Sequence, residues 1–244
     1  MNFSDYEISL TPDNIIPFPE AGTFIKEYPG VCLVTRNINP LLLYSAYMQG
    51  AFPWFNEDEG EPVVWHSPSP RFVLEMKNLH IPKSLKKFLK HTPFTYTMDH
   101  CFDQVINECR LQKREGQNGS WIGPKMIKVY NQFHQLGFAH SIEAWNGDVL
   151  AGGFYGVLIG RIFFGESMFT KESESSKSAF AVFAQAFARA GGKLIDSQVY
   201  TDNIARYGAE NISRDAFLHM EKSLLYSELD LDLETCFYQV AESI

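Results

Sequence analysis

The chain predicts an α+β fold, and three observations carry that prediction. Helical and strand-like segments come in runs: helix, helix, three strands, then helix, strand and helix. Asn146-Gly147-Asp148 lies between two apolar runs and is a strong hairpin signal. The apolar segments 164–169 and 194–198 have strand length, and each carries an acid. The order divides the chain into a small N-terminal α/β unit, residues 1–76, and a larger mixed-sheet unit, residues 77–244.

The elements follow from local chemistry. Residues 1–30 are punctuated by Pro12, Pro17, Pro19 and Pro29 and read as irregular. Val31–Thr35 is a short apolar strand. A helix runs from Pro40 to Met48, with Asn39 as cap, proline in the first turn and Gly50 as the stop. Val63–Trp65 and Arg71–Met76 are strand-like and flank Ser67-Pro68-Ser69-Pro70. Pro82–Lys90 is a short helix and Phe94–Met98 a strand. Asp99 is read as the cap of a helix through Glu108. Pro124 opens a helix that Gly137 ends. His140–Trp145 and Val149–Val157 form the hairpin, and Arg161–Phe169 is a third strand. Ser178–Ala190 is an alanine-rich helix, Lys193–Gln198 a strand, and Ser213 caps a helix to Leu225. The segment Glu228–Glu234 alternates acid with leucine and reads as an acidic-faced strand or extended arm.

Bulk properties narrow the class. A chain of 244 residues with 45% hydrophobic content can build a real core. Its net charge of −8 excludes a generally basic, nucleic-acid-coating surface, so any nucleic-acid contact must be a local patch. Cys32, Cys101, Cys109 and Cys236 form no CxxC pair, and no signal peptide is evident. The expectation is a reduced, cytoplasmic protein. No run is long enough to span a membrane. His100, Cys101 and Cys109 fit no zinc spacing, so no metal is expected. Asn118-Gly119-Ser120 is a chance glycosylation sequon in that setting.

Two features point to chemistry. A carboxylate on a buried strand is costly without a partner or a task. Strand alternation puts Asp196 and Gln198 on one face, with Ile195 and Val199 on the other; Glu166 shares a face with Phe164 and Met168. Neighbouring strands of this kind make an acidic wall beside an apolar patch. The second feature is Lys83, Lys86, Lys87 and Lys90, at i, i+3, i+4 and i+7, which form one basic stripe. Such a stripe suits the phosphates of an RNA stem and carries no sequence readout.

The chain closely resembles the leucyl/phenylalanyl-tRNA–protein transferase family. The matching stretches run from Tyr44 to Ala209. They include Gly50-Ala51-Phe52-Pro53-Trp54-Phe55, Trp65-His66-Ser67-Pro68-Ser69-Pro70-Arg71, Gly119-Ser120-Trp121-Ile122 and Leu136-Gly137-Phe138-Ala139-His140-Ser141-Ile142-Glu143. They continue through Gly152-Gly153-Phe154-Tyr155-Gly156-Val157, Gly165-Glu166-Ser167-Met168-Phe169 and Gly191-Gly192-Lys193-Leu194-Ile195-Asp196-Ser197-Gln198. Seven motifs in family order are specific where any one alone would not be.

The resemblance implies two domains, the second similar to the acetyltransferase superfamily with its splayed mixed sheet. It implies transfer of Leu or Phe, less well Met, from aminoacyl-tRNA to a protein N-terminus bearing Arg or Lys, a mark for N-end-rule degradation. The donor ester is already activated, so no cofactor is expected. By match, Asp196 and Gln198 orient and deprotonate the acceptor amine, and Glu166 binds that amine or the terminal ribose. Phe154, Met168, Phe183 and Ile195 line the aminoacyl pocket. Trp121 and Tyr130 match positions linked to the tRNA 3′ end or the acceptor peptide.

Three alternatives remain at this level: a transferase that adds Leu to N-terminal Asp or Glu, an acetyl-CoA-dependent N-acetyltransferase, and a non-catalytic tRNA- or degron-binding module. Arg189-Ala190-Gly191-Gly192-Lys193-Leu194 departs from the pyrophosphate loop of the second and follows a helix instead of opening one. The acids argue against the third. Departures from the family pattern lie in 32–37, in the expanded loop 112–118, and beyond Tyr226.

Overall fold

Strand β1 (Val31–Thr35) leads into helix α1 (Pro40–Tyr47). The Asn39 side chain accepts the Leu42 N–H, and Pro40 occupies the first turn, where its missing N–H costs nothing. The computed structural model describes residues 10–23, 26–112 and 120–244. Asn118 and Gly119 of the sequon and most of the expanded loop 112–118 therefore lie outside the described residues. Strands β2 (Phe52–Pro53) and β3 (Val63–His66) complete a small antiparallel sheet of order β1-β3-β2.

Strand β4 (Arg71–Glu75) does not belong to this small sheet. It joins a seven-stranded sheet of order β10-β4-β9-β8-β7-β6-β5. A boundary after residue 76 therefore cuts off a strand of the larger unit. The Ser-Pro-Ser-Pro segment between β3 and β4 is a passage between sheets and not a hairpin.

The large sheet continues through α2 (Lys83–Leu89), β5 (Thr95–Met98), α3 (Phe102–Leu111) and α4 (Pro124–Gln135). Next come β6 (Ala139–Asn146), β7 (Val149–Ile159) and β8 (Ile162–Thr170), three antiparallel neighbours. Asn146 pairs with Val149 across a two-residue turn, with Gly147 at φ 56°, as the hairpin signal requires. Then follow α5 (Ser175–Arg189), β9 (Leu194–Asp196), α6 (Asp202–Ala205), β10 (Glu210–Ile212), α7 (Arg214–Leu224) and α8 (Leu233–Ala241). The result is the expected α+β class.

Several local expectations are corrected. Asp99 does not cap α3, which starts at Phe102. Asp99 adopts φ 58°, and its carboxylate accepts the Ser141 N–H at 2.8 Å and lies 2.7 Å from His140 Nδ1. Helix α5 starts at Ser175, three residues before the expected boundary. The strand expected over 193–198 stops at Asp196. The acidic tail is not a strand: Asp232 accepts the Thr235 N–H at 2.7 Å and caps α8, which buries Leu233, Cys236 and Phe237 against α5 and β5. The acid read as one face of a strand is thus a helix start.

Two cores flank the large sheet. One gathers α1, α3, α4 and Phe217 of α7, and unites Phe52 and Trp65 of the small sheet with Val73 and Phe164 of the large one. The two units therefore share a core. The other lies under α2, α5 and α8 and contains Phe154, Phe163, Phe183 and Ile195. Each buried phenylalanine contributes roughly 1.5–3 kcal/mol relative to exposure.

Candidate active site

The sheet opens between β8 and β9. The two strands run parallel and pair only over Ile162↔Leu194, Phe163↔Ile195 and Phe164↔Asp196. Beyond that point β8 continues through Gly165, Glu166 and Met168, while the chain after β9 turns away through Ser197 and Gln198. A cavity of about 490 Å³ lies in the gap, a size suited to a small organic group. Phe154, Met168, Phe180 and Ile195 form its apolar side, with Glu166 and Gln198 on its wall and Trp54 and Trp121 also lining it.

Two backbone irregularities aim the polar groups. Tyr155 pairs with Ser167 and Gly156 with Gly165, so Glu166 is the unmatched residue of a β-bulge. The bulge needs Gly156: a Cβ there would stand 2.3 Å from the Phe164 carbonyl oxygen. Gln198 lies past the strand end at φ 58°, in the left-handed region. That turn brings the Gln198 side chain back to the cavity, with Nε2 3.4 Å from Glu166 Oε1.

Glu166 is held by two phenols. Tyr47 donates to Oε1 at 2.7 Å and Tyr130 donates to Oε2 at 2.8 Å; the two hydroxyls are 2.6 Å apart. Burial pushes the Glu166 carboxyl up to about 7, against the opposing pull of the two phenols and of Arg71. Burial and the Glu166 charge push both phenols well above their ordinary range. A carboxyl that exchanges its proton near neutrality, at the wall of an apolar cavity, is suited to general base and acid work.

Asp196 lies on the other side of β9 from the cavity. Arg71 Nε and Nη2 donate to its two oxygens at 2.8 and 2.5 Å, and the Gln198 N–H donates to Oδ1 at 3.0 Å. Asp196 and Arg71 are 0% and 1% exposed. Arg71 also donates to the Gly50 carbonyl at 3.0 Å and lies between the Phe52 and Phe217 rings, 4.9 and 4.3 Å from their centroids. Burial opposes the Arg71 charge, but Asp196 together with Glu221 and Glu166 outweighs it, and the guanidinium pKa is raised. Asp196 therefore secures the turn that carries Gln198.

The other expected residues separate into layers. Phe154, Met168, Ile195 and Trp121 line the cavity. Ile195 faces the cavity, and Asp196, on the opposite face of β9, faces Arg71. Phe183 sits one layer behind, its ring 5.5 Å from that of Phe154 and 4.4 Å from that of Phe163. Tyr130 reaches the site only through Glu166. Lys83, Lys86 and Lys87 on α2 and Lys90 at its C-cap are exposed, without an ion-pair partner among the described residues and away from the cavity lining. Arg161 pairs with Asp230, away from Glu166. Among the described residues no group of three or more His, Cys, Asp or Glu is arranged to hold a metal ion.

Sequence reasoning gave no role to Tyr47, Arg71 or Trp54. Arg71 had a signal, a lone cation ahead of the apolar run Phe72-Val73-Leu74. Tyr47, inside an apolar helix, had none.

The family model described as leucyl/phenylalanyl-tRNA protein transferase matches residues 73–222, and the model for that family's N-terminal domain matches residues 36–69. The chain belongs to this family. A leucyl/phenylalanyl-tRNA–protein transferase of Anaeromyxobacter sp. is 42% identical over 222 residues, covering 89% of this chain and 93% of that protein. The Escherichia coli O81 protein of the same name is 44% identical over 204 residues, covering 84% and 85%. The corresponding Myxococcus xanthus protein is 43% identical, covering 87% and 88%. The two matches leave residues 70–72 between them.

Proposed function

We propose that this transferase moves Leu or Phe, and less well Met, from aminoacyl-tRNA to the N-terminal Arg or Lys of acceptor proteins, marking them for N-end-rule degradation in the cytoplasm. The observation that carries the reading is Glu166, a carboxyl poised near neutrality on the wall of an apolar cavity.

The reaction is ester aminolysis. The acceptor nitrogen attacks the ester carbonyl, the new C–N bond forms, and the C–O bond to the ribose breaks. The amine, with a reference pKa of about 8, enters largely protonated and must first lose that proton to solvent. Glu166 takes the second proton as the bond forms and returns it to the departing ribose oxygen. The protons balance, and the already activated ester requires no ATP, metal or coenzyme. Gln198 orients the amine beside Glu166, and Asp196 acts through the turn. Phe154, Met168 and Ile195 receive the aminoacyl side chain. Such a pocket discriminates by only about 1–3 kcal/mol per methylene, and a flexible Met adapts to branched and aromatic guests. Trp121 and Trp54 offer stacking faces for the terminal adenine, each such contact being worth roughly 1–3 kcal/mol.

The deciding experiment is transfer of labelled Leu from Leu-tRNA to peptides beginning with Arg, Lys, Asp, Glu or Ala. Labelling of Arg and Lys peptides is expected. Labelling confined to Asp and Glu would identify the related leucyltransferase, and transfer to none would sink the reading. Charge reversal at Lys86 and Lys87 should weaken tRNA binding and flatten its salt dependence, while turnover at saturating tRNA is kept. Unchanged affinity across salt concentrations would remove α2 from the tRNA surface.

A further inference from the structure

Glu221 is a buried carboxyl that the proposed chemistry does not use. It projects from α7, is 2% exposed, and its Oε1 has no hydrogen-bond partner among the described residues. Its Oε2 packs against Gly50, where an added Cβ would lie 3.1 Å away. The charged groups acting on it are Arg71 from β4 and Asp196 from β9; the α1–β2 connection brings only the Gly50 backbone and α7 itself the Phe217 ring.

Arg71 is already committed. Its N–H groups serve Asp196 and the Gly50 carbonyl, the Phe52 and Phe217 rings lie against it, and Glu221 forms no ion pair with it. Asp196 pairs with this guanidinium directly, and Glu221 and Glu166 lie near enough for their charges to act on it. An ionised, unpartnered Glu221 is costly in this setting. Burial accordingly pushes its carboxyl well above the ordinary range.

We propose that Glu221 is a positioning residue that works as a neutral acid: while it holds its proton, Arg71 stays with Asp196 and the Gln198 turn stays at the cavity. Once ionised, Glu221 competes with Asp196 for the single guanidinium. Loosening that pair releases the Gln198 N–H bond to Asp196 and moves Gln198 relative to Glu166. Transfer should therefore decline on the alkaline side as Glu221 loses its proton. The proposal about transfer rests on the function proposed above; the protonation state of Glu221 does not.

The test compares wild type with Glu221→Gln, which mimics the neutral acid. Without substrate, infrared spectra at neutral pH should show a protonated carboxylic-acid band that the Gln variant lacks. Folded-state pKa elevation means that unfolding releases the proton once pH exceeds the ordinary carboxylate value. Wild-type stability should therefore fall, relative to the Gln variant, as pH rises from that value. With substrate, wild-type transfer should decline at alkaline pH while the Gln variant holds its rate. Glu221→Ala, which also cannot ionise, should likewise lose the alkaline decline in transfer, with KM for aminoacyl-tRNA unchanged. An infrared spectrum unchanged by Glu221→Gln, or a stability difference independent of pH, overturns the neutral acid. An alkaline decline that persists in the Gln variant, or none in wild type, overturns the coupling to transfer.

Discussion

Glu166→Gln is expected to lower single-turnover transfer by roughly 10²–10⁴-fold, the usual contribution of a general base. Aminoacyl-tRNA affinity should be nearly unchanged, because Gln keeps the volume and can still accept from one phenol. The pH profile gives the sharper prediction. Glu166 must be ionised to accept a proton, and its carboxyl titrates at about 7. Wild-type rate should rise with pH through that value. The Gln variant should keep only the later limb set by the acceptor amine, at about 8. Tyr47→Phe separates electrostatics from packing. The Tyr47 hydrogen bond stabilises the charged carboxylate and lowers its pKa, so its loss should move the first limb to higher pH. Single-turnover rates across pH for the three proteins decide this. A first limb unchanged in Glu166→Gln would remove Glu166 as the base.

The parts of this site that could be read from sequence are those fixed by local chemistry. Asn39-Pro40 starts a helix and Asn146-Gly147-Asp148 turns a hairpin whatever surrounds them. The acids at 166 and 196 were also legible, because a carboxylate in an apolar strand requires a partner or a function. Their facing was not legible. Period-two alternation holds only while the strand is regular, and both key positions break it: Glu166 is the extra residue of a bulge, and Gln198 sits in a left-handed turn beyond the strand. Asp196 and Gln198 are therefore near each other through a backbone hydrogen bond and not through a shared strand face. The partner of Asp196 is 125 positions away. Sequence marks Arg71 and Asp196 as two costly charges but not as each other's solution. Tyr47 carried no mark at all, since a tyrosine in an apolar helix reads as core until the structure sets its hydroxyl against a carboxylate.

Arg71→Met is expected to produce the largest loss of stability of any single change near the site. The guanidinium is 1% exposed and gives two hydrogen bonds to a carboxylate that is 0% exposed. Removing one partner of such a pair strands the other charge in a low-dielectric interior, at a cost of about 3–5 kcal/mol. Asp196 would be stranded while Glu166 and Glu221 also lost their nearby positive charge. Both carboxyls should then bind protons more tightly, so the first limb of the transfer profile should move to higher pH in whatever fraction stays folded. Arg71→Lys should recover only part of the loss, because an ammonium cannot make the paired contact with Asp196 or offer the Phe52 and Phe217 rings a planar cation. The double change Arg71→Met with Asp196→Leu should be more stable than Arg71→Met alone, because it removes the stranded charge. Its transfer rate should nevertheless stay low, since the carboxylate that accepts the Gln198 N–H is gone. Denaturant unfolding and single-turnover rates on the same four proteins separate the two roles. If the double variant regained both stability and rate, the pair would be serving packing alone. If it regained stability without rate, the Arg71–Asp196 pair would be holding Gln198 at the cavity.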